Sequence, residues 1–109
     1  MIRSFDYATI TAVRQQAESR PTLEPRMAAL AEAWRQRAID GFRAAYRKAM
    51  RGCASYPANK REVRELTAFF VLERAVQELS FELANRPSWA GIPLKAILDM
   101  MAHHAASAP

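Results

Sequence analysis

Few side chains in this 109-residue sequence are of a type that could perform chemistry. The aspartates are Asp6, Asp40 and Asp99, and each falls inside a segment with helical periodicity. None sits at a strand end or in a loop, the settings that hold a phosphate-bound metal. The three glycines form no phosphate-cradling loop. His103 and His104 are neighbours, so on a helix they point about 100° apart and do not share a metal readily. Cys53 lacks the His, Lys or Arg pattern of a nucleophile. The residues at helical spacing that do invite attention are Glu73, Gln77 and Ser80, at i, i+4 and i+7. They form a polar seam between two apolar flanks, Phe69, Leu72, Val76, Leu79 and Leu83 on one side and Val63, Leu66, Phe70 and Phe81 on the other. A carboxylate in such a place needs partners, because burying an unpaired charge is costly. The seam reads either as a satisfied internal hydrogen-bond network or as a polar strip opening onto a ligand pocket.

The element that carries this seam is the longest in the chain. Asn59 reads as its N-cap, with Glu62 three positions on in a capping-box-like pattern. The helix runs to about Ala84, roughly 37 Å at the standard rise. Pro87 forces its end, and Asn85 suits the turn past it. Lys60, Arg64, Thr67, Arg74, Glu78 and Glu82 project to its solvent face, and the apolar arc beyond them is broad enough to predict packing on several sides.

Three further helices are expected. Residues 2–19 set Ile2, Phe5, Ile10, Val13 and Ala17 on one arc. Residues 20–25 read as a loop around Pro21 and Pro25. Residues 26–51 form an amphipathic helix with Met27, Leu30, Ala31, Trp34, Ala38, Phe42, Ala45 and Ala49 on its core face; Asp40 is placed to pair with Arg43. Gly52 ends it. After a turn at Ser88–Gly91, where Trp89 is expected to pin the chain, Ile92-Pro93 opens a last helix with Leu94, Ile97, Leu98 and Met101 as its stripe. The tail after His104 is expected to fray. With no β pattern or internal repeat, the fold class is all-α, a single four-helix unit.

Composition narrows the function classes. Sixteen Lys+Arg against 11 Asp+Glu give a net charge of +5, but the arginines are dispersed. That favours a solvated basic surface over a nucleic-acid patch. No apolar run approaches the roughly 20 residues of a bilayer span, and the first residues lack the apolar core of a signal peptide. The single cysteine fits a reducing compartment. The expectation is a cytoplasmic protein with neither nucleic-acid nor membrane partners.

The run Leu72-Glu73-Arg74-Ala75-Val76-Gln77-Glu78-Leu79-Ser80-Phe81-Glu82-Leu83-Ala84-Asn85-Arg86-Pro87-Ser88-Trp89, followed by Ile92-Pro93-Leu94, resembles the C-terminal end of maltokinases, which occur alone or fused behind a trehalose synthase. The family pattern there is approximately E-K-A-x-Y-E-x-x-Y-E-x-x-N-R-P-x-W-x-x-I-P-L. The opening Met1-Ile2-Arg3-Ser4-Phe5-Asp6-Tyr7-Ala8 is similar to the family segment M-L-R-S-F-D-Y-A, so the resemblance covers essentially the whole chain. It implies a two-lobed, protein-kinase-like fold related to aminoglycoside phosphotransferases, and ATP- and Mg²⁺-dependent phosphorylation of maltose to maltose 1-phosphate in the full-length family. It also implies that the nucleotide-binding lobe, the catalytic aspartate and the metal-binding aspartate precede the matched region. The chain would then be the terminal helical part of the C-lobe, with no catalytic residue, cofactor or metal ligand of its own. Glu73 and Arg86 carry over to the sugar side. Gln77 and Phe81 stand where the family has tyrosines, and Arg74 where it usually has lysine, which changes donor geometry. The partners implied are a kinase lobe or a trehalose synthase domain. A helical module that stands alone and binds a partner or self-associates, as a homo-oligomer, is the other expectation. A large bare apolar face is expected if the matched region belongs to a larger lobe.

Overall fold

A computed structural model of the chain describes residues 1–107. Four α-helices account for most of it, α1 (Ile2–Ser19), α2 (Glu24–Ala49), α3 (Lys60–Asn85) and α4 (Gly91–Ser107), and no strand occurs among the described residues. The all-α class follows from the helical periodicities. The chain divides into two compact units, Met1–Tyr56 and Pro57–Pro109, each a helical hairpin.

In the first unit α1 lies against α2. The expected loop at 20–25 tightens into a 3-10 turn, Pro21–Leu23, and α2 begins at Glu24 with Pro25 in its first turn. There the missing proline N–H costs nothing, because that position has no helical acceptor. Gly52, at φ 78°, takes the left-handed conformation past the end of α2. Ile39 is its buried apolar side chain, joined by Arg3 and Thr9. Thr9 satisfies itself by donating to the Phe5 carbonyl at 2.7 Å. Trp34 is not core. It stays 51% exposed and meets Phe5 edge to face, with ring centroids 6.0 Å apart. Phe5 also meets Phe42, which stacks on Tyr46, and Tyr46 contacts Tyr56 beyond the helix end. Asp40 accepts from Gln36, one turn before it, rather than from Arg43.

In the second unit α3 packs on α4. Asn59 caps α3 as its sequence position predicts, its Oδ1 accepting from the Arg61 N–H at 2.8 Å. A 3-10 turn, Pro87–Trp89, joins the two helices. The junction is pinned less by Trp89, which is half-buried, than by Ala90, Ile92 and Pro93, which are buried. The end of α4 remains helical to Ser107 instead of fraying at His104, and the Ser107 hydroxyl donates to the His103 carbonyl at 2.8 Å. On α4, Pro93, Ala96, Ile97 and Met100 lie inward, while Leu94, Leu98 and Met101 stay exposed.

The burial of α3 departs from the face predicted for it, keeping only Val63 and Leu79 of the expected apolar flanks inward. Its inner stripe runs through Val63, Thr67, Val71, Ala75, Glu78, Leu79 and Glu82, with Ala75 and Glu82 fully enclosed. Thr67, Glu78 and Glu82 were expected in solvent. The broad apolar arc expected inside is instead open: Phe69, Phe70, Phe81 and Leu83 each keep 54–60% of their surface in water. The reason is geometric. One neighbouring helix covers only one stripe of a cylinder, and the small Ala75 lets α4 approach closely along this one.

Candidate functional site

The residues of the seam are placed by the same departure. Glu73 and Gln77 each lie two positions from Ala75, some 200° around the helix from the buried stripe, and both are exposed. Ser80 lies on that outer side and is exposed too. The seam is therefore neither an internal network nor the wall of an enclosed pocket within this hairpin. It is the centre line of an open face, flanked by Phe69 and Val76 on one side and by Phe70 and Phe81 on the other.

Arg86 belongs to a different construction. Its Nε donates to one Glu82 carboxylate oxygen at 2.9 Å and its Nη2 to the other at 2.7 Å, a bidentate pair across one helical turn. The guanidinium carbon lies 4.8 Å from the centre of the Trp89 ring and 5.8 Å from that of Phe81. Glu82 is buried while the Arg86 side chain is about half exposed. Asn85 donates to the Phe81 carbonyl at 2.9 Å, closing the last turn before Pro87. Of the four residues expected on a sugar side, Phe81 and Arg86 thus meet at the end of α3, and Glu73 and Gln77 stand one to two turns before Phe81 on the outer face. The spacing Glu82…Arg86, directly before a proline, is the signal that could have identified the buried pair. An i, i+4 carboxylate and guanidinium can travel inward together where either alone could not.

A second ionic cluster was not foreseen. Asp6, on α1, accepts from Arg3 of its own helix and from Arg35 of α2, the latter at 2.9 Å. Arg35 also donates twice to Glu32, at 2.7 and 2.8 Å. Those bonds to Glu32, with Asp6 adding to them, push the Arg35 guanidinium further above its ordinary pKa despite partial burial. The cluster ties α1 to α2 and engages Asp6. Asp40 is held by Gln36, and Asp99 accepts from Lys95 at 2.6 Å. The residues present therefore do not fit a nucleotide-bound magnesium ion, and among the described residues no three His, Cys, Asp or Glu side chains are grouped to hold any metal.

Cys53 lies exposed in the turn after α2, its sulfur 3.2 Å from the Ser55 hydroxyl. Hydrogen bonds from the Ser55 side chain and backbone lower the thiol pKa. Among the described residues, no helix is long and apolar enough to cross a membrane. No protein-family model and no solved structure matches the chain.

Proposed function

We propose that this chain is the C-terminal helical subdomain of a maltokinase-like sugar kinase, non-catalytic by itself, with the outer face of α3 seated against the remainder of such a protein. The observation that carries the reading is the uncovered apolar arc of α3. A face holding Leu66, Phe69, Phe70, Val76, Phe81 and Leu83 in water is what a helix leaves behind when its natural cover is another part of a lobe. The residue run from Leu72 to Leu94 supplies the family. In this reading Glu73 and Gln77 lie at the sugar side, and the Arg86–Glu82 pair fixes the turn that leads to α4. The phosphoryl-transfer machinery, with its ATP and Mg²⁺, belongs to the covering lobe.

Sequencing the DNA upstream of Met1 tests the reading. An in-frame kinase-like lobe is the expected result; a promoter and ribosome-binding site directly upstream would refute it. The purified 109-residue chain is expected to transfer no phosphate from ATP to maltose, and turnover from pure material would overturn the assignment of the chemistry to another lobe. The same bare face favours a second reading, a helical interaction module that works through self-association or a protein partner.

A further inference from the structure

We infer that, where the 109-residue chain stands without a covering lobe, two copies pair through the outer face of α3, antiparallel, about a two-fold axis passing between Val76 and Gln77. Two observations carry this. The first is area. Taking about 150–250 Å² for a whole aromatic side chain, the exposed fractions of Leu66, Phe69, Phe70, Val76, Phe81 and Leu83 leave roughly 600 Å² of apolar surface on one helix face. A stable interface needs about 800 Å² from each partner, somewhat over half of it apolar. The face therefore holds the apolar area of a standard interface before α4 adds anything.

The second is self-complementarity. An axis between Val76 and Gln77 sets Glu73 opposite Ser80 of the second copy, and Ser80 opposite its Glu73. An acceptor meets a donor at two symmetric places, rather than carboxylate meeting carboxylate. The same register sets Phe69 beside Leu83 of the second copy on one flank of the seam and Phe70 beside its Phe81 on the other, so apolar side chains meet along both flanks. A parallel pair would stack Glu73 on Glu73 and Phe69 on Phe69. Polar groups that satisfy each other in one register and repel in another are how helices fix orientation. This pairing does not rest on the maltokinase-like reading. It uses the same face, so a covering lobe and a second copy would exclude one another, and a monomeric chain would leave that reading standing.

Light scattering after gel filtration is expected to give twice the 12.3 kDa chain mass at about 100 µM, where a Kd of about 1 µM leaves nearly all of it paired. Val76→Glu places a charge on the axis and is expected to weaken pairing at least ~100-fold, while Leu30→Glu on α2 leaves it intact. In a Cys53→Ser background, Val76→Cys is expected to form an inter-chain disulfide rapidly. Leu66→Cys is expected not to, because antiparallel pairing holds the two copies of position 66 roughly 30 Å apart. A chain that stays monomeric at that concentration, a Val76→Glu variant that still pairs, or cross-linking at position 66 as fast as at position 76 would each overturn the proposal.

Discussion

Replacing Arg86 by alanine tests the end of α3 directly. The substitution removes two charge-assisted hydrogen bonds, 2.7 and 2.9 Å, and a guanidinium lying 4.8 Å from the Trp89 ring. Taking one partner from a fully buried ion pair costs about 3–5 kcal/mol. That figure is too large here, since the Arg86 side chain keeps 48% of its surface in water and its attraction is partly screened. The loss is set by Glu82, whose carboxylate stays 2% exposed. Stripping two hydrogen bonds from a buried carboxylate there costs about 1–3 kcal/mol, and the ring contact adds roughly 0.5–1 kcal/mol. The expected destabilisation of the α3–α4 hairpin is about 2–3 kcal/mol, with Arg86→Lys recovering less than half, because an ammonium keeps the charge but not the fork. The chain has two tryptophans, one in each unit, so Trp34→Phe leaves Trp89 fluorescence as a reporter of this hairpin alone. The assay is urea unfolding in that background. A change below about 0.5 kcal/mol, the scale of an ordinary surface substitution, would refute the argument that the pair holds the turn.

Three further outcomes follow from other parts of the chain. Asn59→Ala removes the side-chain acceptor of the Arg61 N–H and is expected to cost about 1 kcal/mol, read by urea unfolding followed by circular dichroism; no change would mean the cap is dispensable. Asp6→Asn leaves Arg3 and Arg35 facing a neutral amide, and is expected to cost about 2 kcal/mol in the α1–α2 hairpin, read from Trp34 fluorescence with Trp89 replaced. For Cys53, hydrogen bonding lowers the thiol pKa, so the thiolate is favoured in the folded chain and forms at lower pH than in the unfolded one. Ser55→Ala should therefore shift the pH midpoint of iodoacetamide alkylation upward and slow the reaction near neutral pH; an unchanged profile would remove Ser55 as the cause.

What was legible in the sequence was what local chemistry dictates. The cap at Asn59, the stop at Gly52, the proline-bounded turns and the helical class follow from backbone rules that act over a few residues. The arc of α1 was legible for the same reason: Ile2, Phe5, Ile10, Val13 and Ala17 all lie at least partly inward. What failed was the choice of face on α3, together with Trp34 and Leu30 on α2, which remain exposed at 51% and 60%. A hydrophobic pattern says which face wants cover, not which face a single neighbouring helix can reach. Glu82 projects onto the polar face with Lys60, Arg64 and Glu78, yet it is buried, and Arg86 four residues on neutralises it in place. The sugar-side residues illustrate the same limit. Glu73 and Gln77 were visible as a polar seam, but their spacing alone could not tell an inward seam from an outward one.

Positions 75 and 76 turn that distinction into a measurement. Ala75 is wholly enclosed between α3 and α4, whereas Val76, one residue on and 100° around the helix, is 51% exposed. If amphipathic pattern alone ruled, Val76 on the apolar flank would be the residue that matters, and Val76→Ala would cost the loss of a buried branched side chain. The observed burial reverses the order. Ala75→Leu forces three extra carbons into a closed contact and is expected to cost about 1–3 kcal/mol. Val76→Ala in dilute, unpaired chain is expected to stay within about 0.5 kcal/mol of the parent. Concentration then separates the two faces: the Ala75→Leu penalty is the same at every dilution, while a Val76→Ala penalty grows only where a second surface covers the helix. Should Val76→Ala exceed Ala75→Leu in dilute chain, the assignment of inner and outer faces on α3 is wrong, and with it the exposure of Glu73 and Gln77.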